Sequence, residues 1–291
     1  MDNKHKKTIL KLQTNEITGR EIYLAVAQNI KNPEKKAVLL EIADEETKHY
    51  DIYKSYTNQD VSCNKIKVAL YYLMSKLFGY IFSIKLLEHE EEQGLAKILS
   101  LEMSNLIADT EEIRKQEEEH EDKLIDMLSE ERVEYISSII LGLNDALVEI
   151  SGSLAGFTFA MQNTKITALA GFITGISATL SMAFSQYLAE KSSGKKDYLK
   201  SSLYTGVSYF FTVLLLICPY VFLPKDMYVE ALIITLLIVV FIIFVFTYYI
   251  SIVKSVNFKT RFFEMLSISI GVSIFSFILG IVAKKFLGIE T

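Results

Sequence analysis

From residue 137 onward the chain carries five apolar stretches, residues 137–161, 166–189, 203–223, 229–250 and 264–286. Each meets the ~20 residues that a helix needs to cross the hydrocarbon core of a bilayer. That requirement divides the 291 residues into two unlike parts, since residues 1 to about 131 are crowded with Glu, Lys and Asp. The expected fold is all-α: a four-helix bundle over residues 1–131, then a membrane domain over 132–291. The connections between spans are short. Pro219 and Pro224 mark the end of the third, because proline cannot continue a helix.

Loop charges predict the orientation. Lys191, Lys195, Lys196 and Lys200 follow the second span, and Lys254, Lys259 and Arg261 follow the fourth. The opposite side shows Lys165, Lys225, Lys284 and Lys285. Seven against four places the N-terminus in the cytoplasm and the C-terminus outside. The basic N-terminal residues lead into no apolar core, so no cleaved signal peptide is expected. A formal net charge of −5 argues against nucleic acid as a partner. Cys63 and Cys218 form no CxxC pair, which leaves no rubredoxin-type or zinc-ribbon module and no disulfide framework.

The first span holds two acids, Asp145 and Glu149, four residues apart and so on one helix face. An acid at mid-bilayer costs ~2.5–3.5 kcal/mol on insertion scales, so the pair points to a cation or proton path. Met182 in the second span offers a thioether, a soft ligand that favours transition metals over magnesium or calcium. Gly152 with Gly156, and Gly171 with Gly175, permit close helix approach. They are expected to join the first two spans or to pair two subunits.

In the acidic part, helical periodicity predicts helices over about 8–30, 34–56, 66–99 and 101–128. Two of them carry Glu-x-x-His: Glu46 with His49, and Glu117 with His120. Each pair turns a carboxylate and an imidazole to one side. The preceding helices supply Glu16 and Glu88, giving intervals of 46 − 16 = 30 and 117 − 88 = 29, an internal near-repeat. Two such hairpins face to face make a carboxylate-bridged dinuclear site. Glu91, one turn beyond Glu88, is a further ligand candidate. His5 and His89 lack the spacing and are expected at the surface.

With these residues in hand, the first 130 or so resemble a rubrerythrin or ferritin-like di-iron domain without its rubredoxin. The remainder resembles the vacuolar iron transporter family, through Leu-Asn-Asp145-Ala-Leu in the first span. Leu-Ser-Met182 in the second, followed by Tyr-Leu-Ala-Glu190-Lys-Ser, adds to the likeness. The fusion is similar to prokaryotic membrane-bound ferritin proteins. The resemblance implies a homodimer in the cell membrane that moves Fe2+ or Mn2+ out of the cytosol against protons. Asp145 and Met182 would line its path, and the N-terminal domain would hold a di-iron site, with manganese as the alternative metal. Two departures stand out. Thr174 sits where plant-type members carry Glu, so Glu149 is expected to take over part of that role. The connection 191–201 is too short for the family's cytosolic metal-binding helices, which the N-terminal domain would replace. The rival expectation is a membrane-anchored di-iron peroxidase or ferroxidase.

Overall fold

A computed structural model describes residues 3–99, 110–128 and 132–287, which form ten helices and, among the described residues, no strand. The chain divides into two compact units. The first comprises Met1–Ser129 with Ile252–Lys254, the second Glu130–Ser251 with Ser255–Thr291.

The first unit is built from α1 (Asn3–Ala27), α2 (Pro33–Thr57), α3 (Lys65–Leu77), α4 (Tyr80–Leu99) and α5 (Thr110–Leu128). The start of α2 is encoded locally. The Asn32 side chain accepts from the backbone N–H groups of Glu34 at 2.9 Å and Lys35 at 3.2 Å, with Pro33 in the first helical position. This combination satisfies orphan donors where proline costs nothing. α2 ends at Asn58, which adopts the left-handed conformation (φ 52°). The polar break after it is tied to α1, since Gln13 donates to the Gln59 carbonyl at 2.8 Å and the Asn64 N–H donates to Thr18 Oγ1 at 3.0 Å.

The long third helix expected over 66–99 is two helices. Gly79, at φ 89°, turns the chain between α3 and α4 in a conformation that glycine adopts without a Cβ penalty. Of the helix expected over 101–128, residues 101–109 lie outside the described residues. α1 and α2 pack extensively along each other, and α5 packs on both α2 and α4. Ile9, Leu12, Tyr53 and Ile113 form an apolar cluster among α1, α2 and α5.

The second unit holds α6 (Arg132–Met161), α7 (Thr164–Ser192), α8 (Tyr198–Phe222), α9 (Tyr228–Val253) and α10 (Phe258–Leu287). All five are long and apolar enough to cross a membrane, and they match the expected spans to within a few residues. Pro219 lies inside the last turn of α8, and the helix stops at Phe222, ahead of Pro224. α6 is the centre of the unit, packed against α7, α8 and α10.

Of the four glycines expected to join the first two spans, Gly171 alone does so within the chain. A Cβ on Gly152 would meet Val272, and one on Gly156 would meet Ser276, so this pair seats α10 rather than α7. Gly171 faces Leu154 of α6, whereas Gly175 faces Val213 of α8. The tightest approach is Gly142, where a Cβ would lie 2.2 Å from the Thr205 carbonyl oxygen. α6 and α8 therefore meet backbone to side-chain-free backbone, a close packing that apolar surroundings alone do not drive.

Candidate functional site

The first unit gathers its acids inward. Glu46 and His49 lie one turn apart on α2, and Glu117 and His120 lie one turn apart on α5. α1 adds Glu16, and α4 adds Glu88 and Glu91. Ligand atoms of Glu16, Glu46, His49 and Glu117 all lie within 4.8 Å of one another, and so, as a second group, do those of Glu88, Glu91 and Glu117. Glu117 belongs to both. Its Oε1 is 3.1 Å from His49 Nδ1, and its Oε2 is 3.5 Å from His120 Nδ1. His120 Nδ1 is also 3.8 Å from Glu46 Oε1, so all seven residues singled out from the sequence meet in one place.

Glu46, His49 and His120 are fully buried. Yet Glu16 Oε2, both oxygens of Glu46 and of Glu91, Glu117 Oε2 and both histidine Nδ1 atoms have no hydrogen-bond partner. Leaving so many buried polar atoms unsatisfied is costly unless something else binds them. They converge on one another, and mixed carboxylate and imidazole donors suit a divalent transition metal. Gly19 enlarges the space. A Cβ there would lie 2.8 Å from Glu91 Oε1 and 3.4 Å from Glu46 Oε2. The residues present therefore form two adjoining groups, sharing Glu117, that could each hold a metal ion.

The electrostatics agree. Burial, then the neighbouring carboxylates of Glu91, Glu16 and Glu117, push the Glu46 carboxyl well above its ordinary value. Burial and then Glu88 and Glu117 do the same to Glu91. Burial opposes charge on Glu117, but His120 and His49 hold it down at about 2. Burial likewise opposes protonation of His49, yet Glu117 and Glu16 push it up to about 10. Without metal, protons thus do part of the neutralising.

Sequence reasoning missed the layer around this cluster. His49 Nε2 is 2.7 Å from Gln116 Oε1, and His120 Nε2 is 2.5 Å from Glu45 Oε2. Tyr23, fully buried, donates to Glu88 Oε1. The signal that could have found them was position: Glu45 and Gln116 each precede the Glu of a Glu-x-x-His. His89 is exposed, as expected, whereas His5 is half-buried.

In the second unit the acids stay outward. Asp145 is half-buried, and Glu149 is exposed on α6, its Oε2 accepting from the Tyr209 hydroxyl of α8 at 2.7 Å. Asn144 Oδ1, beside them in sequence, is buried without a hydrogen-bond partner. Met182 packs against the apolar cluster that includes Ala146, Leu147, Val213 and Leu216. One turn further along α7, Gln186 donates to Glu190 at 2.9 Å and to Ser201 at 3.3 Å.

No curated protein and no solved structure matches the chain. Residues 136–198 match the sequence model of the VIT family. That stretch covers nearly all of α6 and the whole of α7, and so contains Asp145, Glu149 and Met182. Together with the five apolar helices, the match supports a vacuolar-iron-transporter membrane domain and suggests an integral membrane protein that transports metal ions.

Proposed function

We propose that this protein exports Fe2+, with Mn2+ as a second substrate, from the cytosol across the cell membrane in exchange for protons. The observation that carries the reading is the pair Asp145 and Glu149 on one face of a membrane-crossing helix, inside the segment similar to the VIT family. In the proposed cycle these carboxylates bind the cation in transit. Protons arriving from the far side neutralise them and release it, a common use of intramembrane acids. Met182 contributes a soft donor that favours transition metals.

The exposure of Glu149 supports a homodimer. An acid left facing lipid at depth is costly, and a second copy laid over this face of α6 would enclose it in a path. The lysine and arginine bias of the loops supports a cytoplasmic N-terminus.

In this reading the first unit is a ferritin-like, rubrerythrin-like domain. Glu16, Glu46, His49, Glu88, Glu91, Glu117 and His120 would hold two metal ions there, capturing cargo or sensing its supply. Such a centre, when loaded, supplies ferrous-iron oxidation chemistry. Around it, the histidines fix the Glu117 carboxylate between the two positions, and Tyr23 holds Glu88. A second reading is a membrane-anchored di-iron ferroxidase or peroxidase, favoured by the buried phenols of Tyr23 and Tyr53 beside the cluster.

The test is metal uptake into inside-out proteoliposomes, with and without a pH gradient, comparing Fe2+, Mn2+ and Zn2+. Gradient-driven Fe2+ flux that is lost in Asp145→Ala, with the purified protein otherwise intact, supports transport. Undiminished flux in that variant refutes the assigned path. Peroxide consumption without any flux in the unmodified protein selects the enzyme.

A further inference from the structure

We propose that the two metal positions of the N-terminal centre are inequivalent, because His120 is backed by a carboxylate and His49 by a neutral amide. The inference rests on the di-metal reading above and goes beyond it by assigning an order of filling.

The near-repeat makes the two positions comparable. Glu45 and Gln116 occupy matching places, one residue before the Glu of each Glu-x-x-His. Each reaches across to the other hairpin. Glu45 on α2 meets His120 Nε2 of α5 at 2.5 Å, and Gln116 on α5 meets His49 Nε2 of α2 at 2.7 Å. The exchange is reciprocal and differs in one functional group.

Both rings turn Nδ1 toward the shared Glu117, at 3.1 Å and 3.5 Å, so Nδ1 is the ligating atom and Nε2 carries the proton. Nε2–H of His120 then donates to a carboxylate, and Nε2–H of His49 to an amide carbonyl. A charged acceptor makes the stronger bond and leaves the ring a better electron donor to its metal. Lys123, 2.9 Å from Glu41 Oε1 and 3.4 Å from Glu45 Oε2, sets a cation beside Glu45 and aims it.

Each ligand group holds a further buried carboxylate, Glu46 beside Glu16 and Glu91 beside Glu88, so the carboxylates are matched and the difference lies behind the histidines. The carboxylate of Glu45 behind His120 makes the His120 position the tighter one. Outer-shell partners of ligating histidines typically change metal affinity by roughly 10–100-fold. Glu45 and Gln116 are positioning residues, since neither is a ligand.

The experiment is an anaerobic Co2+ titration of the full chain in detergent. It follows the paramagnetically shifted, solvent-exchangeable ring N–H resonances of ligating histidine. The chain has four histidines, at 5, 49, 89 and 120, and none in a span, so Co2+ at the membrane acids contributes no such signal. Signals are assigned with His49→Gln. The expected result is two steps separated by roughly tenfold or more in affinity, His120 first. Gln116→Glu should tighten the second step toward the first, and Glu45→Gln should weaken the first toward the second.

Simultaneous appearance of both signals in the unmodified chain, or His49 appearing first, overturns the inference while leaving the di-metal reading intact. So does a result in which both variants fold and neither moves its step. Absence of both signals overturns the inference and the di-metal reading together. The order of steps in the unmodified chain needs no substitution, so a variant that fails to fold does not remove the test.

Discussion

The two units treat acidic side chains in opposite ways. In the first, seven ligand candidates from α1, α2, α4 and α5 close on a common centre, and Glu46, fully buried there, has both oxygens unpartnered. In the second, Asp145 and Glu149 share one helix, and the only hydrogen bond to Glu149 among the described residues comes from Tyr209. Burying several like charges together raises the energy of the metal-free state. A cluster of this kind binds tightly and releases slowly. Two acids on a single open face, which protons can neutralise, suit a site that must let go. On the proposed function, the contrast is between a site that holds a cation and one that passes it on.

The sharpest way to break this contrast is to remove one acid from each site. Asp145→Ala is expected to reduce metal flux at least a hundredfold in proteoliposomes, while the first unit still binds metal. Glu46→Ala should do the reverse to binding: the seven-residue centre loses its central carboxylate, and metal-dependent stabilisation disappears. Thermal unfolding read out by fluorescence, with and without Mn2+, checks the second half. A metal present at a hundredfold its dissociation constant stabilises the loaded state by ~2.7 kcal/mol, a shift that is easily resolved. If Asp145→Ala lost that stabilisation too, the two sites would not be separable functions.

The electrostatics sharpen the same comparison through protons. His49, pushed up to about 10, is protonated at neutral pH in the metal-free protein. Its folded value is raised, so its contribution to stability is complete below about 6.5 and is lost as pH climbs through about 10. Glu117, held at about 2, contributes stability above about 4.5 that is lost as pH falls through about 2. The raised Glu46 and Glu91 work the other way, favouring the metal-free fold less as pH rises above the ordinary carboxylate range. Metal needs all these groups deprotonated at the ligating atom. Adding Mn2+ at pH 7 in weak buffer should therefore release protons, and apparent affinity should fall as pH is lowered from 8 to 6. An indicator dye measures the release. Metal binding that releases no protons would contradict the charge state described for His49.

Much of this was legible in the sequence, for identifiable reasons. Spans are read from length and apolarity, two quantities that do not depend on packing, and all five fall where expected. Glu-x-x-His spacing is local too, so the ligand candidates could be named one by one. What escaped depends on contacts between distant residues. Gly19 matters because α1 passes the carboxylates of α2 and α4, and Gly152 matters because α10 lies over it. Neither neighbour is encoded near the glycine. The α3–α4 break is different. Gly79 was visible, but a lone glycine inside a helical pattern is often tolerated at a cost of ~1 kcal/mol, so the pattern alone favoured one continuous helix.

Tyr209 offers the mildest intervention, and it addresses what keeps Glu149 in place. The ring is fully buried in α8, and its hydroxyl donates to Glu149 Oε2 across the α6–α8 contact that Gly142 makes possible. Tyr209→Phe keeps the ring and removes the donor, so packing is preserved and one bond is lost. A hydrogen bond to a charged partner contributes ~1.5–3 kcal/mol and a neutral one ~0.5–1.5 kcal/mol. Glu149 carries charge only during part of the proposed cycle, so the loss should fall near the lower range. Flux is then expected to drop by roughly threefold to tenfold, well short of the loss expected for Asp145→Ala. Should Tyr209→Phe leave the rate untouched, Glu149 would be a bystander and the path would rest on Asp145 alone.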